Sequence, residues 1–268
     1  MSWRIGISTG ACTECSILDV IPALRESRVT GVEIGTPPRH FDPWQDEQVA
    51  ALGRSLASAG LEAVSIHAPF GGLLDLAQPN PHHRHAAIGA ILTAASAIKQ
   101  LGGRLVVVHP SDLERHAHDV QARLADAAHS LVLLADNCRQ EDMTLVIESP
   151  LPHLIGGDPD EFAWILKQVN GSARVCLDTG HTALGGHWRK FLDVAGPRLA
   201  HVHANDNHGH RDDHLPPGEG VIDWREIVET LKAVDFDGWL MLELKSPPGD
   251  IAPYFRSAFE RATQLLAE

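Results

Sequence analysis

The 268-residue sequence has little of what disulfide-rich, membrane-spanning or DNA-binding proteins depend on. Its four cysteines are too few and too irregularly spaced for a disulfide framework. It has no apolar run long enough to cross a membrane and no signal peptide at its N-terminus, so we expect a cytoplasmic protein. It has 22 basic and 35 acidic residues, and the resulting net charge of −13 would repel a polyanion such as DNA.

Two of the cysteines, Cys12 and Cys15, form a C-x-x-C pair just after the first strand-like segment. Such a pair is half of a zinc ribbon, and the sequence has no second pair to complete it. We therefore interpret both as small residues in a loop or first helical turn. Cys138 and Cys176 are expected to fill the core.

The sequence does contain a regular alternation of strand-like and helix-like segments. Strands are predicted at Arg4–Ser8, Gly31–Ile34, Ala63–His67, Leu105–His109, Thr144–Glu148, Ala173–Asp178, Leu199–His203 and Trp239–Glu243. Amphipathic helical segments include Pro43–Ala59, His82–Leu101, Leu113–Arg139, Pro159–Val169, Trp224–Ala233 and Pro253–Ala267. Eight such units in a chain of this length indicate one α/β domain over residues 1–268, a closed (β/α)8 TIM barrel.

Alternation within the strands separates polar from aliphatic side chains. His67 shares a face of its strand with Ser65, whereas Val64 and Ile66 share the other face. The same parity holds at three other strand ends, which carry His109, Asp178 and Glu243. We expect the aliphatic faces to pack against the outer helices and the polar ends to face the mouth of the barrel.

Six consecutive strands, the third to the eighth, end in a residue that can bind a metal ion. These residues are His67, His109, Glu148, Asp178, His203 and Glu243. The carboxyl ends of all strands meet at one face of a barrel, so the six side chains are predicted to converge. Burying them without cations would cost on the order of several kcal/mol for each unpaired charge. Nitrogen and oxygen donors suit zinc, manganese, cobalt or iron.

Three further candidate ligands lie in the loops that follow. His181 comes three residues after Asp178, within one turn of the strand end. Asp212 and His214 lie in the loop after the seventh strand, where an Asp-x-His spacing lets both side chains point the same way. The neighbouring Asp213 is an alternative to Asp212 at this position.

The motifs around these residues resemble those of the xylose-isomerase-like barrel superfamily, also described as AP endonuclease family 2. This group joins endonuclease IV with sugar isomerases and epimerases. The resemblance extends from Ile5 to Glu243, and its most specific segments are Ser65–His67, Val108–Pro110, Val146–Glu148, Leu177–His181, His201–His203 and Asp212–Pro216. It implies the barrel fold and a metal-dependent enzyme.

The two branches of this superfamily imply different metal sites. Resemblance to endonuclease IV implies three zinc ions, held by His67, His109 and Glu148, by Glu148, Asp178, His203 and Glu243, and by His181, Asp212 and His214. Resemblance to the sugar isomerases and epimerases implies one manganese or similar ion on the second of these sets. There Glu148 and Glu243 would be the catalytic residues that move a proton between adjacent carbons, and His181 would contact the substrate.

We predict a sugar or sugar-phosphate isomerase or epimerase with one to three divalent ions per chain and a small carbohydrate as its partner. The alternative is an endonuclease IV-like phosphodiesterase acting on abasic sites, which the complete set of nine ligands favours. Net charge disfavours that alternative, as does the scarcity of aromatic wedges, of which Phe70 is the one candidate. Glu148 is also followed by Ser149, where endonuclease IV has asparagine. A metal-storage protein fits less well, because storage does not require two opposed glutamates.

Four more residues are candidates for contact with the substrate or support of the site. Arg211 and Lys245 are predicted to hold a phosphate or carboxylate of the substrate, with surface charges as the alternative. Trp188 is predicted to stack on a sugar face, with core packing as the alternative. Glu33 has the inward parity of the second strand and is a candidate residue of the substrate pocket, with a carboxylate or salt-bridge partner of the site as the alternative.

Overall fold

Eight parallel strands close into a barrel in the computed structural model, which describes residues 3–116 and 118–267. Each strand pairs with the next along the chain, and the last pairs with the first. The strands are β1 Arg4–Ser8, β2 Gly31–Gly35, β3 Glu62–His67, β4 Leu105–Val108, β5 Thr144–Glu148, β6 Arg174–Asp178, β7 Leu199–Ala204 and β8 Trp239–Leu242. The predicted (β/α)8 TIM barrel is therefore confirmed.

Helices surround the barrel in the order that the alternation predicts. They are α1 Ile17–Ser27, α2 Asp46–Ala59, α3 Pro81–Gln100, α4 Val120–Gln140, α5 Pro159–Val169, α6 Thr179–Leu184, α7 Trp188–Ala195, α8 Trp224–Ala233 and α9 Ile251–Ala267. The predicted segments did not include α1, α6 and α7: α6 and α7 are short, and α1 contains Pro22, which interrupts the usual helical signal. None of the helices described is long and apolar enough to span a membrane.

Local capping explains where several helices begin. The Asn80 side chain accepts a hydrogen bond from the His82 amide at 2.9 Å, and Pro81 occupies the first position of α3. The Asp158 side chain accepts one from the Asp160 amide at 2.9 Å at the start of α5. The amide groups of the first turn of a helix have no partner within the helix. A capping side chain accepts a hydrogen bond from one of them, and proline at the first position has no amide hydrogen to satisfy.

The aliphatic faces of the strands pack outward against the helices in one large core, which includes Val106, Val108 and Cys138. The inward faces form two small clusters of their own, one of which contains Val107 and Cys176. Cys138 and Cys176 are therefore core residues, as predicted. The packing confirms the predicted parity at the end of β4, and the strand ends of β6 and β8 follow it in the same way.

The parity predicted for β3 is wrong at one residue. Val64 lies in an interior cluster with Trp239 and Met241, whereas Ile66 belongs to the outer core. The pairing of β2 with β3 shifts by one residue at this point, so the extra residue on β3 changes the face that Val64 occupies. The shift leaves His67 facing the interior, at the carboxyl end of the barrel.

Candidate metal centre and substrate cavity

All nine predicted ligands converge at the carboxyl end of the barrel. They form three groups, in each of which one possible ligand atom per residue lies within 4.8 Å of the others. The groups are His67, His109 and Glu148; Glu148, Asp178, His203 and Glu243; and His181, Asp212 and His214. They coincide with the three sets that the resemblance to endonuclease IV implies.

The carboxylate of Glu148, fully buried at the end of β5, joins two of these groups. Its Oε2 atom lies 3.1 Å from His67 Nε2 and 3.2 Å from His109 Nε2. Its Oε1 atom lies 3.1 Å from His203 Nδ1. Glu148 therefore has the geometry of a bridging carboxylate.

The four-residue group surrounds His203 Nδ1. Glu243 Oε2 lies 3.2 Å and Asp178 Oδ2 4.0 Å from that nitrogen. Asn205 fixes the Asp178 carboxylate by donating a hydrogen bond from Nδ2 to Oδ2 at 2.8 Å. The backbone amide of His181 donates to the other oxygen of Asp178 at 2.6 Å. The Asp178 side chain thus also caps the helix that presents His181.

The third group is built from α6 and the loop after β7. Asp212 Oδ2 lies 2.8 Å from His214 Nε2 and 3.4 Å from His181 Nε2. Asp213 instead pairs with Arg211, so of the two adjacent aspartates it is Asp212 that joins the group. His214 has φ of +51°, a strained conformation for a side chain of this size, and such strain is common at functional sites.

Buried Asp206, which the sequence reasoning did not single out, holds this loop in place. Its carboxylate accepts hydrogen bonds from Trp224 Nε1 at 2.9 Å, from the Gly218 amide at 3.0 Å and from the Ile222 amide at 3.2 Å. Its backbone pairs with Leu215. The only sequence signal is an acidic residue three positions after a strand-end histidine.

Unpartnered polar atoms show that the groups fit a cation. Within the part of the chain that the structure describes, Glu148 Oε1, His203 Nδ1, Glu243 Oε2 and Asp212 Oδ1 are buried without a hydrogen-bond partner. Each such atom costs about 1–3 kcal/mol, and a divalent ion would satisfy all of them. Imidazole nitrogens and carboxylate oxygens are donors that zinc, manganese and iron accept.

The histidines are also oriented for binding. In each ring, one nitrogen faces a group and the other forms a hydrogen bond with a fixed oxygen. The hydrogen-bonded pairs are His67 Nδ1 with Ala68 O (3.3 Å), His109 Nδ1 with Asp112 Oδ1 (2.9 Å), His181 Nδ1 with Ser149 O (3.0 Å), His214 Nδ1 with Glu243 O (2.9 Å) and His203 Nε2 with Glu33 Oε2 (3.3 Å). Such partners fix the tautomer and orientation of a metal-binding histidine. Asp112 was not predicted, because its position depends on the loop after β4.

Glu33 occupies the position expected of a carboxylate partner. It is fully buried on β2, and Ser65 Oγ donates a hydrogen bond to it at 2.8 Å. His201 Nε2 lies 3.2 Å from the same carboxylate oxygen. Burial alone would raise the pKa of Glu33, but His203 and His201 hold it well below its usual range.

Burial and charge coupling oppose each other in the titration of the site. Burial would raise the pKa of Glu148, but His203 and His109 hold it well below the usual range. Burial raises the pKa of Asp178 to about 7, against the opposing effect of His181. Burial would lower the pKa of His214, yet its carboxylate neighbours Asp212 and Glu243 raise it to about 10. Protons therefore compete with a metal ion for these groups, because the rings and carboxylates must lose their protons to bind it.

A cavity of about 1270 Å³ opens above the groups. It lies between the loops that follow β1, β5 and β8, and His181 and Glu243 lie in its wall. Apolar side chains such as Leu151 and Phe70 line it, and Phe70 is 54% exposed beside the His67 ring. Of the lining residues that the structure describes, Lys245 is the only lysine or arginine.

Two of the predicted substrate residues, His181 and Lys245, line this cavity. The structure does not bring Arg211 and Trp188 to it. Arg211 is exposed and is held by the carboxylate of Asp213. Trp188 begins α7, where its ring packs partly buried against the core, as the alternative interpretation anticipated.

The C-x-x-C pair lies at the side of the same cavity. Cys12 ends a short 3-10 turn, and Cys15 follows in the turn before α1, in agreement with the interpretation as loop residues. Both are free thiols, and Cys12 Sγ lies 3.3 Å from Ser246 Oγ. Neither belongs to a candidate metal group among the residues described.

Comparison with known proteins places the chain among barrels of one family. A protein of Methanocaldococcus jannaschii, MJ1311, is 28% identical over 191 residues, which cover 68% of this chain and 64% of that protein, just under two thirds. A D-tagatose 3-epimerase-like protein has a similar structure, with a TM-score of 0.86, 22% identity and 98% of each chain covered.

A second similar structure is D-psicose 3-epimerase from Clostridium cellulolyticum H10, with a TM-score of 0.81 and 17% identity over 98% of this chain and 99% of that one. At these identities, the likeness to solved structures shows the fold alone. The family described as xylose isomerase-like TIM barrel matches residues 21–264, nearly the whole of the barrel. The chain therefore belongs to the xylose isomerase-like TIM barrel family.

Proposed function

We propose that this protein is a divalent-metal-dependent isomerase or epimerase of a small, uncharged sugar, with Glu148 and Glu243 as its catalytic acid–base pair. The observation that carries the proposal is the group of Glu148, Asp178, His203 and Glu243, whose donor atoms lie within 4.8 Å of one another beneath the cavity. The similar structures of a D-psicose 3-epimerase and a D-tagatose 3-epimerase-like protein support the same reaction class.

The two glutamates have positions suited to moving a proton within one small substrate. They come from different strand ends, and their carboxylate oxygens lie 3.1 Å and 3.2 Å from the same atom, His203 Nδ1. One carboxylate would take the proton from the carbon beside the carbonyl group, and the other would deliver a proton to the opposite face or adjacent carbon. An ion held by this group would polarise the substrate oxygens and stabilise the charge left by proton removal.

The charges around the cavity favour a substrate without a phosphate group. Lys245 is exposed and is the single lysine or arginine among the described lining residues. The wall carries Glu14, Asp19, Glu26 and Asp250. Glu14 pairs with Arg39 and Glu26 with Arg256, so it is the carboxylates of Asp19 and Asp250 that would repel a phosphate. We therefore narrow the predicted substrates from sugars and sugar phosphates to unphosphorylated sugars, with His181 and Lys245 as contacts to their hydroxyl groups.

Solvent exchange tests this function directly. Manganese- or zinc-loaded protein is incubated in D2O with a panel of ketopentoses and ketohexoses and with their phosphates. We expect deuterium at the carbon next to the carbonyl group of at least one free ketose, and at least a tenfold lower rate for its phosphate. Glu148→Gln and Glu243→Gln are each expected to lower the rate by about 10²–10⁴-fold.

The matched control is Glu161→Gln, which alters a buried carboxylate that contacts Arg115 and the Gly156 amide and none of the nine candidate ligands. This variant is expected to exchange at the wild-type rate. Absence of exchange from every free ketose with metal-loaded protein would overturn the proposal.

A metal-dependent phosphodiesterase is the second candidate, because all nine residues of a three-ion site converge here. Metal analysis of protein purified without chelators, together with cleavage of an abasic-site duplex, distinguishes the two. Three ions per chain and cleavage at catalytic protein concentration, lost in Glu148→Gln, would establish the phosphodiesterase in place of the sugar enzyme. One ion per chain and no cleavage would eliminate it.

A further inference from the structure

The carboxylate of Glu33 lies beneath the metal groups and has no part in the proposed proton transfer. It is fully buried, and the three side chains that contact it, Ser65, His201 and His203, are also fully buried. All three hydrogen bonds go to Glu33 Oε2, at 2.8 Å from Ser65 Oγ, 3.2 Å from His201 Nε2 and 3.3 Å from His203 Nε2, and His203 Nε2 also lies 3.1 Å from Oε1. An ionised carboxylate in this position needs partners, and the chain supplies three.

The direction of the His203 ring distinguishes it from the other four histidines. His67, His109, His181 and His214 all present Nε2 to their groups and fix Nδ1 on an oxygen. His203 presents Nδ1, and its Nε2 points down to Glu33. Because Glu33 is an acceptor, Nε2 carries a proton. In the neutral form of the ring, which is the form that binds a metal ion, the lone pair is therefore on Nδ1, the nitrogen that faces Glu148 and Glu243.

The contact also differs from its equivalents in strength. In three of the other rings Nδ1 contacts a backbone carbonyl oxygen. In His109 it contacts the carboxylate of Asp112, whose side chain is 23% exposed. The partner of His203 is a carboxylate sealed from solvent, where a charged acceptor binds a donor more strongly. Removing it would leave Nε2–H without a partner in the barrel interior.

We propose that Glu33 is a positioning residue that holds His203 in the tautomer and orientation needed to bind a divalent ion through Nδ1, with Ser65 and His201 holding Glu33 in turn. The inference rests on the metal dependence in the proposed function. It assigns no contact between Glu33 and the substrate. Glu33 lies outside the three groups of predicted ligands, although it forms a fourth possible ligand group with His201 and His203. The inference predicts that Glu33 sets part of the metal affinity of the predicted groups through His203.

The first test measures binding of zinc alone, by competition with a chromophoric chelator at constant pH. Glu33→Gln keeps the size of the side chain but removes its charge, and we expect about 10–100-fold weaker binding. Glu33→Asp retains the charge at a greater distance and is expected to recover part of the loss. Glu161→Gln again serves as the control, because it removes a buried carboxylate from outside the site. Melting temperature is recorded for each variant.

A second readout begins with the wild-type protein. Nitrogen NMR of histidine-labelled wild-type protein, loaded with zinc, is expected to show one ring bound through Nδ1 with a proton on Nε2, and that signal is lost or shifted in Glu33→Gln. Wild-type zinc affinity in a folded Glu33→Gln variant, or a His203 ring bound through Nε2, would overturn the inference alone. Wild-type protein that binds no divalent ion would overturn both the inference and the metal dependence in the proposed function.

Discussion

Gly180 lies between the candidate ligands Asp178 and His181, in the first turn of α6. A Cβ atom at this position would overlap the side-chain oxygen of Asn205, and Asn205 Nδ2 holds the carboxylate of Asp178. The Asp-Thr-Gly-His motif therefore requires glycine for space, because the side chain that orients one ligand passes directly over the backbone that carries the next.

We expect Gly180→Ala to lower the free energy of unfolding by about 1–3 kcal/mol and to weaken metal binding, because Asn205 must move away from Asp178. Denaturant titration and zinc competition measure the two effects. Gly89→Ala is the control: its added methyl group meets nothing within 4 Å in α3, and alanine is the better helix former. A Gly180→Ala variant with wild-type stability and affinity would contradict this account.

Two histidines of the third group give the metal-free protein a pH dependence of known sign. Burial would lower the pKa of each ring, but Asp178 and Asp212 raise that of His181 to about 9, and Asp212 and Glu243 raise that of His214 to about 10. The folded protein thus holds these protons more tightly than the unfolded chain. Their stabilising contribution is complete below about pH 6.5 and is lost as the pH rises through 9 to 10.

We therefore expect the free energy of unfolding of the metal-free protein to fall between pH 7 and 10, by on the order of several kcal/mol. Urea titrations across this range measure the fall, and His214→Gln should reduce its slope. Added zinc binds the neutral rings and should remove the loss at high pH. Stability that is constant or rises between pH 7 and 10 without metal would contradict the assigned charge coupling.

At the scale of the element, the loop between β7 and α8 depends on one side chain. Asp206 accepts hydrogen bonds from Trp224, Gly218 and Ile222, and the loop between them carries Asp212 and His214. The Asn207 amide donates to the same carboxylate at 2.9 Å, so without Asp206 four donors would be left without their acceptor, at a cost of about 1–3 kcal/mol each where they stay buried. The third group should lose its geometry before the four-residue group does.

We expect Asp206→Ala to raise amide hydrogen exchange in the loop and to lower the metal content if the third group binds an ion in the wild-type protein. The control is Asp223→Ala, which removes the exposed cap of α8, where the Asp223 carboxylate accepts a hydrogen bond from the Glu226 amide at 3.1 Å. This change is expected to cost about 1 kcal/mol without changing loop exchange. Exchange in the loop that matches the wild type in Asp206→Ala would show that other contacts hold it.

The elements also show why parts of the site were predictable. Barrel topology carries every strand end to one face, so the positions of Glu148 and His203 follow from a strand pattern alone. Val64 changes face because the pairing of β2 with β3 shifts by one residue, and the hydrophobic periodicity of the sequence does not indicate such a shift. Likewise, the roles of Asp112 and Asp206 depend on loop conformation. Charge alone could not show that Lys245 lines the cavity and that Arg211 does not.

At the scale of the whole molecule, the candidate ligands connect distant parts of the chain. They come from the ends of six strands, from α6 and from the loop after β7, and the carboxylates among them belong to a chain of net charge −13. Bound divalent ions would neutralise part of that charge and link elements that are far apart in sequence. Metal binding should therefore stabilise the entire barrel and not the site alone.

Because an ion that binds only the folded protein stabilises it by mass action, an ion present at 100 times its dissociation constant adds about 2.7 kcal/mol. For a domain of this size, that corresponds to a rise in melting temperature of about 5–10 °C. Thermal unfolding of chelator-treated protein, with and without added zinc or manganese, measures the rise, and Glu148→Gln should diminish it because Glu148 belongs to two groups. Identical melting temperatures with and without ions at millimolar concentration would mean that the converged side chains stabilise one another as ion pairs and bind no metal.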